Sequence, residues 1–179
     1  MVLKFASVTA WEQANLLLQP ALIRLVDNLR KHLEQSIDWQ GQDWAVWPEA
    51  TTEAEKQQVI ELQQQLRHAE PDAAVALEHT LAQLPTPHPG YLLTSKQTGR
   101  QVSIDLWQLQ FQVCFRNYPD LGVLQPEMLI ETLRERDQHV EIDTDLLDED
   151  GEVDWDALDR KAQQVVAHIF THLGEANSV

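Results

Sequence analysis

Residues 154–173 run Asp154-Trp-Asp-Ala-Leu-Asp-Arg-Lys-Ala-Gln-Gln-Val-Val-Ala-His-Ile-Phe-Thr-His-Leu173. Leu158, Ala162, Val165, Val166, Ile169 and Leu173 recur every three or four residues, so at 3.6 residues per turn they share one face. A helix patterned this way gains most of its stability by burying that face, and it needs other elements to cover it. The rest of the chain supplies them. Leu22, Leu25, Val26, Leu29 and Leu33 repeat the same spacing in a helix expected over residues 9–35, where Thr9 and Glu12 stand at capping-box spacing. Pro20 interrupts it and predicts a kink or a restart, because proline lacks an amide donor and crowds the preceding turn.

Residues 36–50 lose that period. They carry Trp39, Trp44, Trp47 and Pro48 and read as a tryptophan-rich connection. Thr52 and Glu55 form a second capping pair that opens a helix over 52–69, with Val59, Leu62 and Leu66 on one side. Pro71, at a first-turn position, opens a helix over 71–84. Pro85-Thr-Pro-His-Pro-Gly90 is the strongest punctuation in the chain and divides a helical half, 1–84, from a mixed half, 85–179, around one shared core.

Beyond it a hairpin is expected over 91–104, turning at Lys96-Gln-Thr-Gly99. Residues 105–118 satisfy two periods. Trp107, Leu109, Phe111, Val113 and Phe115 alternate as in a strand, whereas Trp107, Phe111, Cys114, Phe115 and Tyr118 share a helical face. Asp105 as an N-cap and Pro119 past the end favour the helix. A short helix is expected over 126–137, then an acidic hairpin over 139–155 turning at Asp148–Gly151, then the C-terminal helix over 155–173. The fold class that follows is α+β, mainly α: amphipathic helices packed with one or two small antiparallel β-hairpins.

Charge bounds the function. The 179 residues carry 13 basic and 29 acidic side chains, a formal charge of −16. Residues 137–159 hold eleven of the acids and no Lys or Arg. Such a surface repels phosphate backbones, which argues against direct nucleic-acid binding. With no long apolar run and no signal-peptide core near Met1, the chain is expected to be soluble and cytoplasmic, with no transmembrane segment. The single cysteine, Cys114, excludes an intramolecular disulfide and a cysteine-based zinc site, and its apolar setting predicts an inert thiol.

Motifs that would carry chemistry fall short. If Gly151 is the sixth residue of an EF-hand loop, Asp148, Asp150 and Asp154 take positions three, five and nine, but positions one and twelve are Leu146 and Ala157. His168 and His172 stand four apart, yet at or beyond the border of the apolar stripe. No nucleophile elbow or glycine-rich phosphate loop is present, and the chain has six glycines in all. No catalytic, metal or cofactor-binding residue is therefore assigned, and no cofactor is expected.

Two function classes remain. The first is a non-catalytic interaction protein (an assembly factor, adaptor or accessory subunit) that meets a basic protein partner through Asp148, Glu149, Asp150 and Glu152, with Trp44 and Trp47 as anchors. The second is a small carboxylate enzyme, with or without a divalent cation, built on His139, Glu141, Asp143 and Asp145.

Overall fold

The computed structural model describes residues 4–116, 118 and 139–175. The helix expected over 126–137 lies outside them. The described chain is α+β and mainly α, with five α-helices and a three-stranded antiparallel sheet. In order these are β1 (Lys4–Phe5), α1 (Val8–Gln35), β2 (Trp39–Val46), α2 (Glu53–Arg67), α3 (Pro71–Leu81), β3 (His88–Ser95), β4 (Gln101–Asp105), α4 (Leu106–Cys114), β5 (His139–Val140) and α5 (Trp155–Glu175), with a 3-10 turn at Thr144–Leu146.

The hub is α1. It buries Ala14, Leu17, Ala21, Leu25 and Leu29 against α4, α5 and the sheet. From α5 come Leu158, Ala162, Val166, Ile169 and Leu173, all buried, and from α4 come Leu106, Leu109, Val113 and Cys114. The sheet adds Tyr91, Leu93 and Ile104. This cluster joins residues from both sides of the Pro85–Gly90 punctuation.

Pro20 does not divide α1, which runs unbroken through it. At 100° per residue Pro20 sits about 120° from the centre of the buried stripe, so the carbonyl that loses its donor, that of Leu16, lies on the outer side. Leu16 is exposed, and water can serve that carbonyl. In the same stretch the buried Gln110 of α4 donates its side-chain amide to the Leu18 carbonyl. The expected cap is also displaced: Ser7, not Thr9, is the N-cap, its Oγ accepting from the Ala10 amide at 3.1 Å. By contrast Thr52 and Glu55 form the expected box, with Thr52 N–H donating to Glu55 Oε2 at 2.8 Å and Glu55 N–H to Thr52 Oγ1 at 3.3 Å. Pro71 stands in the first turn of α3.

The tryptophan-rich connection is a strand. β2 pairs antiparallel with β3 from Trp39↔Ser95 to Val46↔His88, in the order β2-β3-β4. Its inward face is Trp39, Gly41, Asp43 and Ala45, too polar and too small to show a period-2 signal. At Gly41 a Cβ would lie 2.6 Å from Leu33 Cδ1 and 2.9 Å from Tyr91 Cε1, so any larger residue would have to displace one of these side chains where the strand approaches α1. The β3–β4 hairpin turns as expected at Lys96–Gly99. Residues 106–114 are helical, capped by Asp105 Oδ1, which accepts from the Trp107 and Gln108 amides at 2.9 and 3.3 Å.

The acidic hairpin closes on one bridge, Leu147↔Val153, and His139–Val140 pair parallel with β1 instead of with residues 152–155. α2 and α3 pack on each other, and of their described residues Val59 alone is buried.

The burial of α5 generates a test. Ile169 is 1% exposed, and a lone carboxylate there has no partner in the apolar cluster. Ile169→Asp is expected to cost about 3–5 kcal/mol, enough to abolish or severely lower the cooperative thermal transition. Circular dichroism melts check it; a midpoint within about 2 °C of wild type would remove α5 from the core.

Candidate functional site

Two acidic constellations stand close in sequence and do different things. The first is buried. Asp143, with its side chain 13% exposed, takes Lys161 Nζ of α5 on Oδ2 at 2.5 Å and Arg116 Nε on Oδ1 at 3.4 Å. Its Oδ1 also accepts the Asp145 amide at 3.2 Å and so caps the 3-10 turn. Its own amide donates to the carbonyl of Cys114, the last residue of α4, at 2.9 Å. Arg116 further approaches Glu141 at 4.0 Å and Asp145 at 3.4 Å, and donates to Thr144 Oγ1 at 3.0 Å.

Three of the four residues considered for a carboxylate enzyme therefore converge on one guanidinium, beside a cavity of about 520 Å³ lined by Gln13, Arg116, Glu141 and Thr144 among others. His139 lies in β5. Burial by itself would raise the Asp143 carboxyl. The Lys161 hydrogen bond and charge, the Asp145 amide and Arg116 outweigh it, and the group is held below the usual carboxylate range. A carboxylate held ionised between two cations has no proton to exchange near neutral pH. Its task is to tie α4, the 3-10 turn and α5 together. The signal in the sequence was Asp143 alone; Arg116 and Lys161 stood in unrelated segments.

Cys114 adjoins this knot. Burial pushes its thiol up to about 12, with Lys161 and Asp143 acting in opposite directions, so it is protonated and unreactive in the folded chain.

The second constellation is the exposed turn. Asp148 Oδ1 accepts the Asp150 and Glu152 amides at 2.9 and 3.0 Å, and the Asp148 amide donates to the Glu152 carbonyl at 2.8 Å. Gly151 takes φ +79°, the left-handed region that side-chain-bearing residues avoid. Asp154 then caps α5, its Oδ1 accepting from Ala157 N–H at 3.0 Å. The side chains of Asp148, Glu149, Asp150 and Glu152 are thus gathered on one ordered, exposed turn. Its EF-hand positions one and twelve are occupied by a buried leucine and a half-buried alanine, Leu146 and Ala157, neither of which can ligate. No cluster of three or more metal-ligating side chains occurs among the described residues.

The other predicted site residues lie elsewhere. Trp44 is half exposed on β2 and Trp47 half buried just beyond it, in an element whose partners are β3, α1 and β4; Trp39 alone is in the core. His168 and His172 are exposed, their rings edge-to-face at 4.1 Å. A polar seam that the periodicity did not announce joins α1 to α5: the buried Asn28 donates to Asp159 Oδ1 at 3.0 Å and to the Arg24 carbonyl at 2.8 Å. Its signal was a polar residue inside an apolar stripe.

Comparison with family models, curated proteins and solved structures finds no match to this chain. Among the described residues no helix is long and apolar enough to cross a membrane.

The Asp143 knot generates a pH signature. A lowered folded pKa stabilises the protein above the unfolded carboxylate value, near 4, and that stabilisation is lost as pH falls through the folded value. Asp143→Asn is expected to cost about 1.5–3 kcal/mol at pH 7, and its gap from wild type should close below about pH 4. Urea denaturation at pH 7, 5 and 3 measures this. A gap that is constant across the series would show that the charge of Asp143 is not what holds the knot.

Proposed function

We propose that the protein is a non-catalytic interaction protein, an assembly factor, adaptor or accessory subunit, that receives a basic protein partner on its acidic turn. The observation that supports this reading is the ordering of Asp148, Glu149, Asp150 and Glu152 on a turn whose backbone amides are already satisfied by Asp148. Asp143 is engaged by Lys161 and Arg116 and Asp148 holds its own turn, whereas Glu149, Asp150 and Glu152 are exposed. Eleven acids without a basic residue between 137 and 159 steer a cationic surface at long range and raise the association rate. The same field disfavours nucleic acid and anionic lipid as partners. A cytoplasmic setting fits the lone cysteine.

The test separates steering from anchoring. Affinity capture from the source cell identifies the basic partner, and association kinetics at two salt concentrations follow. Replacing Asp148, Glu149, Asp150 and Glu152 by their amides should slow association and flatten its salt dependence, because exposed charges act over about 8–10 Å and are screened beyond it. The amide at position 148 still offers a carbonyl to the turn, so the fold should hold. Trp44→Ala or Trp47→Ala should instead speed dissociation with an unchanged salt slope. Wild-type association with a wild-type salt slope in the four-amide variant would reduce the turn to a solvated face.

A further inference from the structure

Among the described residues no strand pairs with the outer edge of β2. An antiparallel ladder alternates residues that bond to the neighbour with residues whose amides point away. The Lys96 amide donates to the Asp38 carbonyl at 2.8 Å, which fixes the phase: Gln40, Gln42, Trp44 and Val46 bond to β3, and Gly41, Asp43 and Ala45 turn N–H and C=O outward. The Trp39 amide is also in the outward phase, but it donates to Ser36 Oγ at 3.0 Å. Residues 40–45 are all exposed, and since Gly41 has no side chain its exposure is that of the backbone itself.

Protected edges are short, bulged, studded with lysine or proline, or carry an inward-pointing charge, and of these β2 has only the last, Asp43, with Arg30 3.7 Å away. β2 is eight residues long, pairs without a bulge, and contains neither lysine nor proline. The opposite edge, β4, has five residues and passes directly into α4.

We propose that β2 accepts an extended, basic segment of a partner protein as a fourth strand. This extends the reading of an adaptor for a basic partner and rests on it for the partner's charge. Charge selects the occupant. Asp43 stands on this side, 3.7 Å from Arg30, with both side chains largely exposed, so an incoming cation competes with Arg30 for it. A second copy would set Asp43 near Asp43 and −16 against −16, whereas a lysine or arginine opposite Asp43 forms a favourable cross-strand pair. The added strand would place its basic residues on the α1 side, across from Gly41, Asp43 and Ala45. Its alternate residues would fall on the outer side, beside the exposed Trp44, and apolar ones fit there.

The probe is an acetylated, amidated peptide of four Lys-Val repeats, which has this alternation. Amide hydrogen exchange of the full chain is followed by NMR with and without it. Gly41, Asp43 and Ala45 should slow at least about tenfold, while Gln40, Gln42 and Trp44, already in the ladder, should change little. The same peptide N-methylated at every lysine backbone nitrogen keeps its charge but cannot bond to the edge, and it should give no protection. Ala45→Pro removes no ladder bond and should abolish the effect. Asp43→Lys, which puts a lysine on the edge, should do the same should the proline disturb folding. Unchanged exchange with the parent peptide, or equal protection by the methylated one, would overturn the proposal. So would protection in its absence that grows with protein concentration alongside faster sedimentation, which would assign the edge to a second copy. The four-amide variant of the acidic turn leaves this readout in place, so the turn and the edge can fail separately.

Discussion

Everything in this structure depends on covering the apolar face of α1. Ala14, Leu17, Ala21, Leu25 and Leu29 form one continuous surface along a 28-residue helix, and three other elements exist in their observed positions because they close over it. Alanines at 14 and 21, and Ala162 on α5, permit close approach, while the leucines fill the space between. Pro20 is tolerated because it stands off that face, where its missing donor leaves an accessible carbonyl. The close approach at Gly41 has the same origin: β2 lies against the side chains of Leu33 of α1 and of Tyr91.

Polar groups decide how these layers are held in register. Asn28 and Arg24 reach Asp159 across the α1–α5 seam, Gln110 reaches Leu18 across the α1–α4 seam, and Asp143 binds Arg116 and Lys161 where α4, the 3-10 turn and α5 meet. Each satisfies a group that burial would otherwise penalise. The division of labour among the acids follows. Those near a cation are structural, Asp148 holds its own turn, and Glu149, Asp150 and Glu152 are left to the solvent.

The elements with a strong period were legible from the residues. The α5 stripe, the Thr52–Glu55 box, the Pro71 start, the β3–β4 hairpin and the Asp105 cap could all be read, because each rests on local spacing. β2 could not, since its α1-side residues are Trp-Gly-Asp-Ala, of which Trp39 alone is buried, and its pairing is set by β3, far away in sequence. The Ser7 cap was hidden by the better-spaced Thr9–Glu12 pair, whose box does not form. Of the candidate site, the exposure and order of the acidic turn agreed with its glycine and Asx residues, whereas the Asp143 knot needed Arg116 and Lys161 to be brought from distant segments. The pairing of β5 with β1 is likewise a long-range contact with no local signal.

The claim that one core is assembled on an unbroken α1, with α2–α3 as a satellite, is tested most directly by native-state hydrogen exchange over a denaturant series. The amides of Leu17, Leu25 and Leu29 should exchange together with those of Leu109 and Ile169, at the free energy of global unfolding. Those of α2 and α3 should exchange through a smaller, local opening. If α1 exchanged in two separate units on either side of Pro20, or if α2–α3 were as strongly protected as α1, the account would be contradicted.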